Sequence, residues 1–215
     1  AASSPAGYQG DLEISSLYFN LDAYLNENFR LAAGLRYEDG EQMVNTYDVF
    51  QIVDNNIEKV IDEDYTLPSF TLTYLPEFDE NLQIRFGLSQ TIARPTFREL
   101  SPTLFIDVDT DRVISGSLYL ENSEIDNIDL RVEYYWGFNQ FLTAGLFFKD
   151  ISKPIEEVVN ESGDLIITSY QNVPSAEVTG FEIEYERIYE DLFPDSKWGS
   201  TKEFIFKMNL TATDS

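Results

Sequence analysis

The sequence predicts an all-β protein, an antiparallel up-and-down transmembrane β-barrel segment of about eight strands. Three observations carry that expectation. Apolar side chains recur with a period of two, their parity survives each tight turn, and the links between strands alternate between short and long.

In the first hairpin the odd residues Leu17, Phe19, Leu21, Ala23 and Leu25 are apolar, and Tyr18, Asn20, Asp22 and Tyr24 form the other face. After the turn Asn26-Glu27-Asn28, the stripe continues as Phe29, Leu31, Ala33, Leu35 and Tyr37, opposed by Arg30, Gly34, Arg36 and Glu38. Facing residues of an antiparallel pair point to the same side, and a slip of one residue would exchange the faces, so preserved parity is a constraint on register. In the second hairpin Phe70, Leu72 and Tyr74 oppose Leu82, Ile84, Phe86 and Leu88, with Thr71, Thr73, Arg85, Gly87 and Ser89 on the polar side. The third sets Ile128, Leu130, Val132, Tyr134 and Trp136 against Leu142, Ala144, Leu146 and Phe148, with Asp129, Arg131, Glu133 and Lys149 opposite. Counting outward from Asn139 places Asp129 across from Lys149 as a pair of opposite charge. A seventh strand carries Thr179, Phe181, Ile183 and Tyr185 against Glu182, Glu184 and Glu186, and an eighth carries Phe204, Phe206, Met208 and Leu210.

The links 26–28, 76–81 and 137–140 are short; 39–63, 94–124 and 151–175 are long, polar and acidic, and 188–203 is intermediate. The nearest approach to a helix is FRELSPTLF, at one or two turns.

Alternating strands also suit a soluble sandwich, which buries its apolar face under a second sheet. Stripe length favours the barrel: 17–25, at about 3.3 Å per residue and a tilt near 45°, covers roughly 21 Å of membrane normal. Aromatic residues at stripe ends (Tyr37, Tyr74, Trp136, Phe148) and the lopsided loops point the same way. A sheet edge has no partner in lipid, so a spanning sheet must close. The chain starts without Met and stops inside a strand pattern, which predicts a piece of a longer protein.

Composition narrows function. A formal charge of −25, from 39 acidic against 14 basic residues, opposes nucleic-acid binding. With no Cys and no His, disulfide scaffolds, Cys/His zinc sites and imidazole-based triads are excluded. Glu182, Glu184 and Glu186 have the form of a glycosidase carboxylate pair, but strand alternation alone produces the same spacing. Asp107, Asp109 and Asp111 open like a calcium loop, yet Arg112 and Leu118 stand where it needs Gly and Glu, leaving at most a water-rich cation site. No catalytic residue, cofactor or dedicated metal site is expected.

The segment LPSFTLTYLPEFDENLQIRFGLSQTIARPTFRELSP (67–102) resembles the middle and later barrel of TonB-dependent outer-membrane receptors, and the likeness continues in order through NIDLRVEYYWG, FLTAGLFFKDI, PIEEV and AEVTGFEIEYE. One departure is ISGSLYLENSEIDN, where the family has a Gly-Asn-Pro-like segment. The resemblance implies that residues 1–215 are one partial barrel domain, part of a barrel of about 22 strands, with the plug and energy-coupling box absent. It further implies the outer membrane of a Gram-negative bacterium, with membrane lipid, the rest of the barrel and plug, the TonB energy-coupling complex and a small-molecule nutrient as partners. A ferric siderophore is the leading ligand class; a secreted soluble β-sandwich with acidic binding loops is the alternative. Arg94, Arg98 and Arg131 are the candidate ligand-binding residues. Pro95 has the alternative role of ending a strand, and Arg30, Arg36, Arg131, Glu133 and Lys149 that of pairing across strands.

Overall fold

A computed structural model describes residues 7–47, 58–107, 112–162, 165–193 and 201–215. In chain order it contains β1 (Gly7–Tyr24), β2 (Phe29–Tyr47), β3 (Glu58–Tyr74), β4 (Leu82–Ala93), a helical turn α1 (Phe97–Leu100), β5 (Phe105–Asp107) and β6 (Arg112–Ile114). These are followed by β7 (Ser123–Gly137), β8 (Gln140–Ser152), β9 (Ile155–Ser162), β10 (Leu165–Asn172), β11 (Ser175–Phe193) and β12 (Thr201–Asp214). One sheet has eight strands in the order β1-β2-β3-β4-β7-β8-β11-β12, every neighbour antiparallel; a second has four, β5-β6-β10-β9. The large sheet is an open meander.

The period-two pattern becomes a continuous surface because the registers preserve parity. One cross-strand row reads Ala23, Leu31, Leu72, Phe86, Leu130, Leu146, Phe181, Ala212 from β1 to β12. Among the described residues no second layer covers it: Phe86 is 38% exposed, Leu130 41% and Leu146 59%. The apolar face is therefore the outward face of a barrel wall, and the sandwich alternative, which requires that face to be sealed, is corrected.

Two local expectations also change. The first is the ion pair between Asp129 and Lys149. The turn Phe138-Asn139, with Asn139 at φ 54°, closes Gly137 onto Gln140, and Trp136 then bulges out so that Tyr135 faces Phe141. This extra residue sets Asp129 against Phe147 and Lys149 against Asn127, whose Oδ1 accepts from Lys149 Nζ at 2.8 Å. The second is the long link 39–63, much of which is strand. β2 and β3 stay paired out to Asn45 and Glu58, because an antiparallel ladder satisfies its own backbone groups above the apolar stripe as well as within it. On this rim acids face acids: Asp39 opposite Asp64, Glu41 opposite Asp62, Asp126 opposite Asp150. Such pairs are repulsive, and all lie beyond the apolar rows.

The segments expected as long loops after β4 and β8 fold together. β6 pairs in parallel with β10 (Ile167 with Val113, Thr168 with Ile114), joining the two loops into the four-stranded sheet. Leu100 and Leu120, 0% and 1% exposed, pack on Val44 and Ile61 of the inward faces of β2 and β3, with Phe97, Ile155 and Tyr170 at the edge of the cluster. This small core ties residues 94–107 and 112–122, together a strap, to the inside of the wall. Gly116 is critical to it: its N–H donates to Ser101 O at 2.8 Å, and a Cβ there would lie 2.3 Å from Ser101 O and 2.4 Å from Glu99 O. Gly116→Ala is expected to loosen the strap alone, raising amide exchange over 97–107 and 112–122 roughly tenfold while the eight-stranded sheet keeps its protection, as hydrogen-exchange mass spectrometry would read.

Candidate functional site: the inner wall and its strap

On the inward face, strand pairing sets Arg85 directly opposite Arg131. Two like charges in that position repel, and Glu133, beside them in the next row, offsets this. Its Oε2 lies 3.4 Å from Arg85 Nη2, and its Oε1 lies 3.6 Å from Arg131 Nε. Oε2 also accepts from Gln83 Nε2 and, at 3.1 Å, from Tyr135 OH. The Glu133 side chain is 3% exposed, whereas Arg85 and Arg131 remain 42% and 44% exposed. The carboxylate is used internally, and part of each guanidinium still faces the interior.

Those guanidinium groups border a hollow of about 420 Å³ on the inner wall. Gly87 and Gly145 leave it room, Ser69, Thr71 and Ser89 supply hydroxyls, and Asp129 and Glu182 add negative charge. Arg131 also reaches Glu184, with Nη2 4.0 Å from Oε2. The arrangement can hold a polar group that carries acceptors for the guanidiniums and donors for the carboxylates.

Arg94 and Arg98 lie elsewhere, in the strap. Arg94 Nη2 is 2.6 Å from Glu38 Oε1, and Arg36 Nη2 is 2.5 Å from Glu38 Oε2. Gly40 makes this possible, since a Cβ there would lie 2.7 Å from Arg94 Nη2. Next to the ion pair, Gln42 Nε2 donates to the carbonyl of buried Pro95 at 2.7 Å. Thr96 and Glu99 then form a reciprocal capping box that starts α1, and Arg98 stacks over Phe105 with Cζ 3.3 Å from the ring centre. Thus Arg94 and Arg98 both lie on the strap, each with its own partner, and Arg131 lies apart on the wall.

The far end of the strap is fastened by two asparagines. Asn122 Nδ2 donates to Glu63 Oε2 at 3.0 Å and to Tyr65 OH at 3.1 Å. Burial, then the hydrogen bond to Glu63, pushes the Tyr65 phenol up to about 12. Asn172 clips both loops: its amide donates to Glu121 O at 3.1 Å and Lys153 O at 2.6 Å and accepts from Glu121 N at 2.9 Å. Beside it, Lys153 pairs with Glu121.

Of the remaining sequence candidates, Arg30 pairs with Asp22 and Glu186 with Lys207. Asp109 and Asp111 lie outside the described residues. Sequence reading missed the roles of Glu38, Asn122 and Asn172; the one available signal was that Glu38 continues the inward face of β2.

Two predictions follow from these pairs. Removing the Glu133 charge leaves Arg85 and Arg131 in unscreened opposition, so Glu133→Gln is expected to cost about 1.5–3 kcal/mol in detergent unfolding, and adding Arg131→Gln to restore part of it. At the strap, burial alone would raise the Glu38 carboxyl, but Arg36 and Arg94 together hold it below the ordinary carboxylate value. A lowered folded value means that its stabilisation is complete above the unfolded value of about 4.3 and is lost as pH falls through the folded one. Strap protection in hydrogen exchange should therefore decline below that pH, and Glu38→Gln should abolish the decline.

Comparison with known proteins agrees with this architecture. The family profile described as TonB dependent receptor-like, beta-barrel, matches residues 2–215. No curated protein matches the sequence. Among solved structures, the siderophore receptor PirA from Pseudomonas aeruginosa aligns over 96% of this chain and 43% of its own, with 13% identity and a TM-score of 0.56. The siderophore receptor PiuA from Acinetobacter baumannii aligns over 94% of this chain and 26% of its own, with 15% identity and a TM-score of 0.58. The Serratia marcescens hemophore receptor HasR, in complex with HasA and heme, aligns over 83% and 33%, with 13% identity and a TM-score of 0.65. The chain thus spans between about a quarter and two fifths of the length of these receptors. Its profile match over nearly every residue, on an eight-stranded meander with one apolar and one polar face, makes this chain a member of the TonB-dependent receptor β-barrel family.

Proposed function

We propose that this chain is part of the barrel of an outer-membrane receptor that actively takes up a scarce nutrient, a ferric siderophore being the favoured ligand class. The observation that carries the reading is the uncovered apolar row across all eight strands, backed by an inward wall of charged and hydroxyl side chains. Such a surface suits lipid on one side and a hydrated interior on the other. The family to which the chain belongs is one of outer-membrane receptors, not enzymes, and two of its structural neighbours are described as siderophore receptors.

In this reading the turns at 25–28, 75–81 and 138–139 face the periplasm and the strap faces outside. The remainder of the barrel closes on the edges of β1 and β12 and encloses a plug, through which the TonB complex delivers energy. Arg131 is the best placed of the three candidates to touch a passing anionic ligand, because Arg94 and Arg98 are engaged in fixing the strap.

The test uses the intact parent protein. It is expected to fractionate with outer membranes, to require detergent, and to support uptake of labelled ferric siderophore under iron limitation, with Arg131→Gln reducing uptake. Recovery of the parent in the soluble fraction would overturn the membrane reading. Normal membrane insertion with uptake of another nutrient instead would overturn only the ligand class.

A further inference from the structure

The short-turn end of the outward face carries a collar of aromatic rings. Tyr134 and Trp136 are 5.7 Å apart between ring centres, Trp136 and Tyr185 5.7 Å, and Tyr185 and Phe206 5.9 Å. Tyr189 and Phe204 continue it at 6.5 Å. Within this collar stands a charge. Arg187 shares the parity of Phe181, Ile183 and Tyr185, and its register partner is Phe206. Its Cζ lies 5.1 Å from the centre of the Tyr189 ring and 5.7 Å from that of Trp136.

Three facts set this arginine apart. Among the described side chains it is the one basic group on the outward face of the large sheet; the neighbouring Lys207 points inward to Glu186. It is exposed, and no described carboxylate pairs with it. Beside it, the buried Trp136 Nε1–H has no acceptor among the described residues. The acids of the outward face sit at the opposite end, around Asp39, Asp64, Asp126 and Asp150. A guanidinium cannot lose its charge, and the rings hold it by cation–π attraction without neutralising it.

We propose that Arg187, with the indole N–H of Trp136 and the ring of Tyr189, forms a binding site for the phosphate of an anionic phospholipid headgroup in the inner leaflet. The site rests on the membrane reading of the previous section. Within that reading Arg187 lies one to two rows beyond the aliphatic stripe, at the depth where Trp and Tyr meet the headgroups. The planar guanidinium donates to two phosphate oxygens while its stem stays along the rings, and the indole donates to a third acceptor. Such a contact pins the depth and rotation of this wall against the leaflet facing the periplasm.

The intact parent receptor is reconstituted in nanodiscs of phosphatidylethanolamine and phosphatidylglycerol in equal parts, and the lipids that remain attached are counted by native mass spectrometry. Wild type is expected to retain phosphatidylglycerol preferentially, with the preference weakened by added salt. Arg187→Gln should reduce it roughly fivefold, Arg187→Lys should keep most of it, and Trp136→Phe should fall between. Heat-modifiable mobility on gels reports that each variant is a folded barrel. An unchanged preference in folded Arg187→Gln overturns the site and leaves the receptor reading intact. A parent protein that does not enter nanodiscs overturns the receptor reading, and the site with it.

Discussion

On the membrane reading proposed above, the structure depends on a single constraint: the strand backbone must be paired through a region where no water is available to pair it. Long antiparallel ladders meet that demand while leaving side chains free to alternate, so each strand presents one apolar and one polar face. The row from Ala23 to Ala212 is the consequence across eight strands, and every register between neighbours preserves it. Little of the stability comes from a conventional core: among the described residues the buried apolar cluster comprises Val44, Ile61, Leu100 and Leu120.

The inward face then has to accommodate charge at fixed positions. Strand register places Arg85 against Arg131, and Glu133 is the residue that makes the placement tolerable. The same logic holds the strap, where Glu38 lies between Arg36 and Arg94 and Gly40 leaves space for the guanidinium. In both places one buried carboxylate serves two arginines, which fixes their geometry.

Fold class, strand number, face assignment and the short-turn pattern were all legible in the sequence because they depend on parity, which local sequence records directly. Register within a hairpin was less secure. The bulge at Trp136 arises from how Gly137 and Asn139 close the turn, and it moved Lys149 from Asp129 to Asn127 without disturbing the apolar stripe that the sequence displays. The strap was not legible at all. Its attachments join residues far apart in the chain, such as Glu38 with Arg94 and Asn122 with Glu63, and polar loops carry no periodic signal for such contacts. The candidate arginines were therefore found, but not their partners, and the partners are what separate Arg131 on the wall from Arg94 and Arg98 in the strap.

Because these 215 residues contain no cysteine, single cysteines can be introduced one at a time along β7 for spin labelling in the reconstituted parent. Collision with oxygen, which concentrates in lipid, and with a water-soluble nickel chelate would be measured at each position from Ile128 to Tyr134. The account predicts strict alternation: Ile128, Leu130, Val132 and Tyr134 favour oxygen, while Asp129, Arg131 and Glu133 favour the chelate or neither. Equal exposure of both sets to the chelate, or shielding of the even positions from oxygen, would contradict it.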